Sequence, residues 1–221
     1  MNEHECEPIR GLPAPLPEGE QLLWQGSPHW TAMAIQAFHV RKIALYFAAL
    51  MIWRAIDVVT AGESIMEATL SALWLLPLAA TTIGLLALLG WLTSRATVYT
   101  ITSRRVVIRL GVAISLSVNI PFCLIEAAAL KSRADGTGDI PLALKRGERI
   151  SYLVAWPHVR PWRLRQPEPM LRAVPGAKAA AAVLAQALAA HAGISVQPAT
   201  PAEARQIASE PAASPLATAA A

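Results

Sequence analysis

The chain has 221 residues, 54% of them apolar and only 15% charged, with a net charge of +4 and a positive mean hydropathy of +0.41. Its two cysteines, Cys6 and Cys123, stand far apart, which argues against a disulfide framework or a cysteine-based metal cluster. Glu3, Glu5 and Glu7 occupy the place of a basic leader region and no apolar core follows for some 30 residues, so the opening does not read as a secretory signal.

Residues 1–38 carry five Glu and one Arg and are expected to form a cytoplasmic N-terminal segment. The first apolar run, Ile43 to Ile56, reads IALYFAALMIWRAI and should continue as a helix to about Val59. Arg54 and Asp57 interrupt it three residues apart, on one helical face. Either Arg54 snorkels to the interface beside Asp57, or the pair is buried against another membrane protein. The adjacent short loop Thr60 to Glu67 favours the first, because water is close. The second run, Ala68 to Ser94, holds 27 residues without an ionisable side chain. About 20 apolar residues cover a hydrocarbon core of roughly 30 Å, so this run is long enough to span. Trp53, Trp74 and Trp91 lie near the ends of the two runs, where indoles favour headgroup depth. Residues 39–94 are therefore expected to form a two-helix transmembrane hairpin. Arg41 and Lys42 precede it and Arg95, Arg104 and Arg105 follow it, whereas the loop between is acidic, which puts both chain ends in the cytoplasm.

Hydropathy would also flag Leu110 to Leu130 as a span, but its pattern is that of a strand. Ile114, Leu116, Val118 and Ile120 alternate with Ser115, Ser117 and Asn119 before Pro121 ends the run. Thr97 to Thr102 and Val106 to Leu110 read as two earlier strands joined by the polar turn Ser103-Arg104-Arg105. Further strands are expected at Ala127 to Ser132 and Ile140 to Leu144 around a Gly-rich loop, and at Ile150 to Ala155 after the turn Arg146-Gly147-Glu148. Pro157, Pro161, Pro167 and Pro169 then break the chain. Lys178 to His191 is strong helix former, with Val183, Leu184 and Leu188 as its apolar stripe and Gly193 as C-cap. The fold expected is an α+β membrane protein, a transmembrane helical hairpin followed over residues 95–193 by a small antiparallel β-barrel or sandwich with a C-terminal helix. Residues 194–221, rich in Pro, Ala, Thr and Ser, read as a disordered tail.

Thr100 to Arg109, Leu110-Gly111, Asn119 to Pro121, Ile125 and Gly136 to Ile140 resemble the bacterial pleckstrin-homology-like domain that follows a membrane hairpin in many bacterial proteins. Leu16 to Glu20, Leu23 to Gly26 and Pro28 are similar to the lead-in of that group. A narrower resemblance, carried by Glu7-Pro8, Gly11 to Pro13, the Leu23 to Gly26 box with Trp24, Ala37 to Arg41, Tyr46-Phe47, Trp53-Arg54, Trp156-Pro157, Arg160-Pro161 and Pro169 to Leu171, is to the PuhB family of photosynthetic complex assembly proteins in purple bacteria. It implies a bacterial inner-membrane protein that assists assembly of the reaction centre and its light-harvesting antenna and that self-associates. Members have often been drawn with three spans; the alternation at Ile114 to Ile120 favours two.

No nucleophile motif or metal spacing appears among the five histidines, and Gly136-Thr137-Gly138 lies in a hairpin and not before a helix as a phosphate loop requires, so the chain reads as no enzyme with no metal or cofactor. His39 could ligate a bacteriochlorophyll magnesium at the membrane surface, although an interfacial histidine without a visible partner is ordinarily solvated. Between Arg95 and Arg172 there are 13 Lys and Arg against 5 Asp and Glu. That excess suits anionic lipid headgroups or an acidic partner, including the chain's own N-terminal segment, better than nucleic acid. Candidate interaction residues are Trp24, Arg41, Lys42, Arg54, Arg104 and Arg105. The function expected is non-enzymatic assembly of reaction-centre and light-harvesting subunits; the alternative is a general membrane module binding lipid or envelope proteins.

Overall fold

The computed structural model describes residues 11–12, 15–111, 115–145, 147 and 150–193. Its first strand, β1 (Leu22–Gly26), pairs antiparallel with β2 (Val98–Thr102), with Gly26 opposite Tyr99. Four helices lie between them: α1 (Trp30–Gln36), α2 (Val40–Thr60), α3 (Ile65–Leu73) and α4 (Leu76–Ala96). A helical arm therefore stands where a β-hairpin would have its loop. Residues 1–38 had read as a segment apart from the domain; the strand within them is part of its sheet.

Helix α2 and the stretch Ile65–Ala96 are long and apolar enough to cross a membrane. Their side chains stay exposed along most of the length, Tyr46, Ile52, Trp53, Leu70 and Trp74 among them. The second stretch is not one continuous helix, as the uninterrupted apolar run suggested, but turns at Trp74 and Leu75. Pro77 explains the break, since it brings no N–H and its ring would collide with the carbonyl of Leu73. At the other end of α3, Ser64 and Glu67 close a capping box.

Beyond Thr97 the chain builds two antiparallel sheets. The first runs β1-β2-β3-β4, with β3 at Arg105–Leu110 and β4 at Leu116–Pro121. The second joins β5 (Ile125–Ala128), β6 (Lys131–Ser132), β7 (Thr137–Leu144) and β8 (Met170–Pro175), with β7 bonded to the other three. The segment that hydropathy would flag as a third span is thus β4, a 3₁₀ turn at Phe122–Leu124 and β5, with residues 112–114 outside the described ones. Helix α6 (Ala177–His191) closes the domain. Tyr99, Ile101, Val106, Ile108 and Ile120 of the first sheet meet Ile140, Leu142, Leu171 and Val174 of the second, and Ala180 and Leu184 of α6 fill the gap between them. A fully buried Ile or Leu contributes about 1.5–3 kcal/mol, so this seam dominates the domain's stability.

By strand alternation the opposite face of the first sheet should be wet, yet Val98, Thr100, Thr102 and Val107 are buried. The segment around Gly11–Leu12 and Pro17–Glu20 covers them. Gly11, at φ 88°, lies so close that a Cβ there would stand 2.7 Å from a Val98 methyl. Two further expectations are corrected. Ile150 to Ala155 is no strand but contains the short helix α5 (Tyr152–Ala155), and the proline-broken stretch leads into β8, which its own sequence did not announce. Arg146 and Glu148 of the expected turn, and residues 194–221, lie outside the described residues.

Candidate interaction site at the junction of arm and domain

Thr97 alone separates α4 from β2, and it is bonded in both directions. Its N–H donates to the Thr93 carbonyl at 3.0 Å and its Oγ1 lies 3.0 Å from His158 Nε2. His158 Nδ1 lies 2.7 Å from the Tyr99 hydroxyl, which accepts from the Arg172 N–H at 3.0 Å and lies 3.1 Å from the Arg172 carbonyl. Burial and then the Arg172 charge push the His158 imidazole down to about 3, so it is neutral, with one ring nitrogen donating and the other accepting. Burial likewise holds the Tyr99 phenol above its usual range.

Arg172 extends this cluster to the arm. Its guanidinium donates to the Pro157 carbonyl at 2.8 Å and to the Gln36 carbonyl, at the end of α1, at 3.0 Å. Burial lowers its pKa, with Asp139 opposing. Asp139 in turn takes two bonds from Arg133 and one from the Ala173 N–H at 2.9 Å. Among the described residues, Arg172 Nε and Gln36 Oε1 are buried without hydrogen-bond partners. Around this polar centre α1 packs tightly: Met33 is fully buried beside Ala32 and Ala173, and Ala34 lies against Gly90 of α4. Phe38 meets Trp156 edge to face at 5.6 Å between centroids. The domain, α1 and α4 are therefore joined by short, buried contacts and not by a free linker.

The candidate residues fall in different places. Trp24 is half-buried against the core, its ring over Gly26, where a Cβ would lie 2.5 Å from it. Arg105 is no solvated turn residue: it grips buried Glu20 through two bonds of 2.8 Å, while Thr102 Oγ1 donates to the same carboxylate at 2.6 Å. Burial pushes Glu20 up, but these bonds and the Arg105 and Arg104 charges outweigh it and leave its pKa lowered. The basic turn has thus found the chain's own N-terminal segment. Arg104 remains exposed. Arg41 and Lys42 are exposed in the first turn of α2, and His39, also exposed, stands at the N-cap position of that helix in a left-handed conformation. Arg54 donates to Asp57, as the shared helical face suggested, and also to Ser71 Oγ at 2.8 Å, which ties α2 to α3. Among the described residues no group of three His, Cys, Asp or Glu gathers for a metal.

Sequence reasoning missed the loop between Val159 and Pro169. Glu168 is buried and accepts from both Arg160 and Arg163. This clamp leaves Trp162 93% exposed at φ 67° and Leu164 67% exposed. The alternating Trp162-Arg163-Leu164-Arg165 was the available signal.

The sequence model described as the bacterial PH domain matches residues 43–188, well over half of the chain. The chain belongs to the bacterial PH domain family. The match begins inside α2, so β1 of this bacterial PH domain lies before it. The chain is also 42% identical, over 85% of its length and 89% of the relative's, to a Rhodobacter capsulatus protein named "uncharacterized 23.7 kDa protein in puhA 5'region". That name agrees with the resemblance to the PuhB family. No solved structure matches the chain.

Proposed function

We propose that the protein is a membrane-anchored, non-enzymatic assembly factor for the photosynthetic reaction centre and its light-harvesting complex. In this reading α2 and α4 cross the inner membrane with both chain ends in the cytoplasm. The bacterial PH domain then presents a rigid face to subunits under construction. Confining partners to the bilayer plane raises their effective concentration without any covalent step. The exposed apolar surface of both long helices supports the membrane, and the clamped Trp162 and Leu164 support a docking role, since large exposed apolar groups held in one conformation suit interfaces.

One observation carries the choice of photosynthesis over a general lipid- or envelope-binding module: the relative, similar along nearly the whole chain, is named for the puhA 5' region. Deleting the gene in its host should lower reaction-centre abundance and slow phototrophic growth while aerobic growth stays intact. Equal growth defects under both regimes would favour the general module.

A further inference from the structure

We infer that a cleft at the foot of α4 is a binding site for the phosphate headgroup of one anionic phospholipid. This inference rests on α4 crossing the membrane as proposed, and it goes beyond the assembly role.

The cleft has a volume of about 560 Å³ and is lined by Ser27, His29, Trp30, Trp91, Ser94 and Arg95, with no Asp or Glu among its lining residues. Arg95 sits in the last turn of α4 with its guanidinium 5.5 Å from the centre of the Trp91 ring. No carboxylate pairs with it among the described residues. A guanidinium held against an indole keeps its planar set of N–H donors for an oxyanion, and lacks the competitor that Glu20 provides for Arg105. His29 Nδ1 is engaged with Thr31 Oγ1 at 2.8 Å, which leaves Nε2 as its second polar atom.

The order of side chains along α4 selects a lipid over a free anion. Leu88, Trp91 and Arg95 follow at helical spacing on one face, and Leu88 and Trp91 are 49% and 41% exposed. Aliphatic, aromatic and cationic groups thus succeed one another toward the helix end. Acyl chain, glycerol region and phosphate follow in the same order along a phospholipid. Trp30, 47% exposed, forms the facing wall from α1.

The test uses the full chain in mild detergent, titrated with phosphatidylglycerol or phosphatidylcholine and read by native mass spectrometry. One phosphatidylglycerol should be retained in preference to phosphatidylcholine, and Arg95→Gln should lower its retention about fivefold. Arg95→Lys, which keeps the charge but not the planar donors, should bind more weakly than wild type and more tightly than Arg95→Gln, and Lys145→Gln, an exposed cation just past the end of β7 and outside the cleft, should match wild type. Equal retention of the two lipids, an equal loss in Lys145→Gln, or displacement by millimolar inorganic phosphate would each overturn the inference. Failure of the membrane reading would appear differently, as a chain that stays monodisperse without any detergent.

Discussion

At the scale of single residues, His158 couples the fold to pH. Its native pKa lies near 3 and its unfolded value near 6.5, so below pH 6.5 the unfolded chain takes up a proton that the native chain refuses. Stability is complete above about pH 6.5 and is lost as pH falls toward 3. Between pH 7 and 5 the loss from this group should be about 2 kcal/mol. A thermal midpoint that falls over that interval in wild type and falls less in His158→Gln is the expected result. Arg104 and Arg105 make a second contrast. Arg105→Gln strands the buried Glu20 carboxylate and should cost about 2–3 kcal/mol in denaturant unfolding, whereas Arg104→Gln should stay within about 0.5 kcal/mol of wild type. Both residues read as one basic turn in the sequence. What distinguishes them is a partner more than 80 positions away, which no local pattern carries.

At the scale of elements, the long helices, β2, β3, β4 and α6 were legible because their periodicity is local: charge-free runs, strict alternation, and an alanine-rich stretch closed by Gly193. β1 and β8 were not. Leu22 to Gly26 becomes a strand only against Val98 to Thr102, and Met170 to Pro175 only against β7. The turn at Trp74 was overlooked although Pro77 marked it. Helix α1 presses closely on α4, where a Cβ on Gly90 would lie 2.9 Å from Ala34 Cα. Gly90→Val should therefore displace α1 at a cost of about 1–3 kcal/mol. Faster hydrogen exchange over residues 29–38, with α4 still protected, would show it; unchanged protection would mean that the two helices are not pressed together.

At the scale of the whole molecule, the arm interrupts the domain, and this changes how topology must be measured. A reporter that truncates the chain after Arg95 removes most of both sheets, so reporters should be inserted into the intact chain. In the proposed topology one placed near Glu63 is active only in the periplasm, and one placed after His191 is inactive there. Periplasmic activity at the second position would reverse the orientation. The same interruption predicts that residues 95–193 alone lack an edge strand and the Glu20 anchor, and fail to unfold cooperatively. Joining residues 11–27 to 97–193 through a short Gly-Ser turn should restore a cooperative thermal transition, because Gly26 and Tyr99 already face each other as hairpin neighbours do.

On a ribosome, β1 emerges before the arm and β2 only after it. In the membrane reading, the first strand of the sheet must wait, unpaired, while two hydrophobic segments are threaded into the bilayer and the chain returns to the side it left. A molecule that inserts one segment, or stops with its second half on the wrong side, leaves β1 stranded from β2. Closure of the sheet then reports that insertion has been completed, and only correctly threaded chains would escape the proteases that clear unfinished ones.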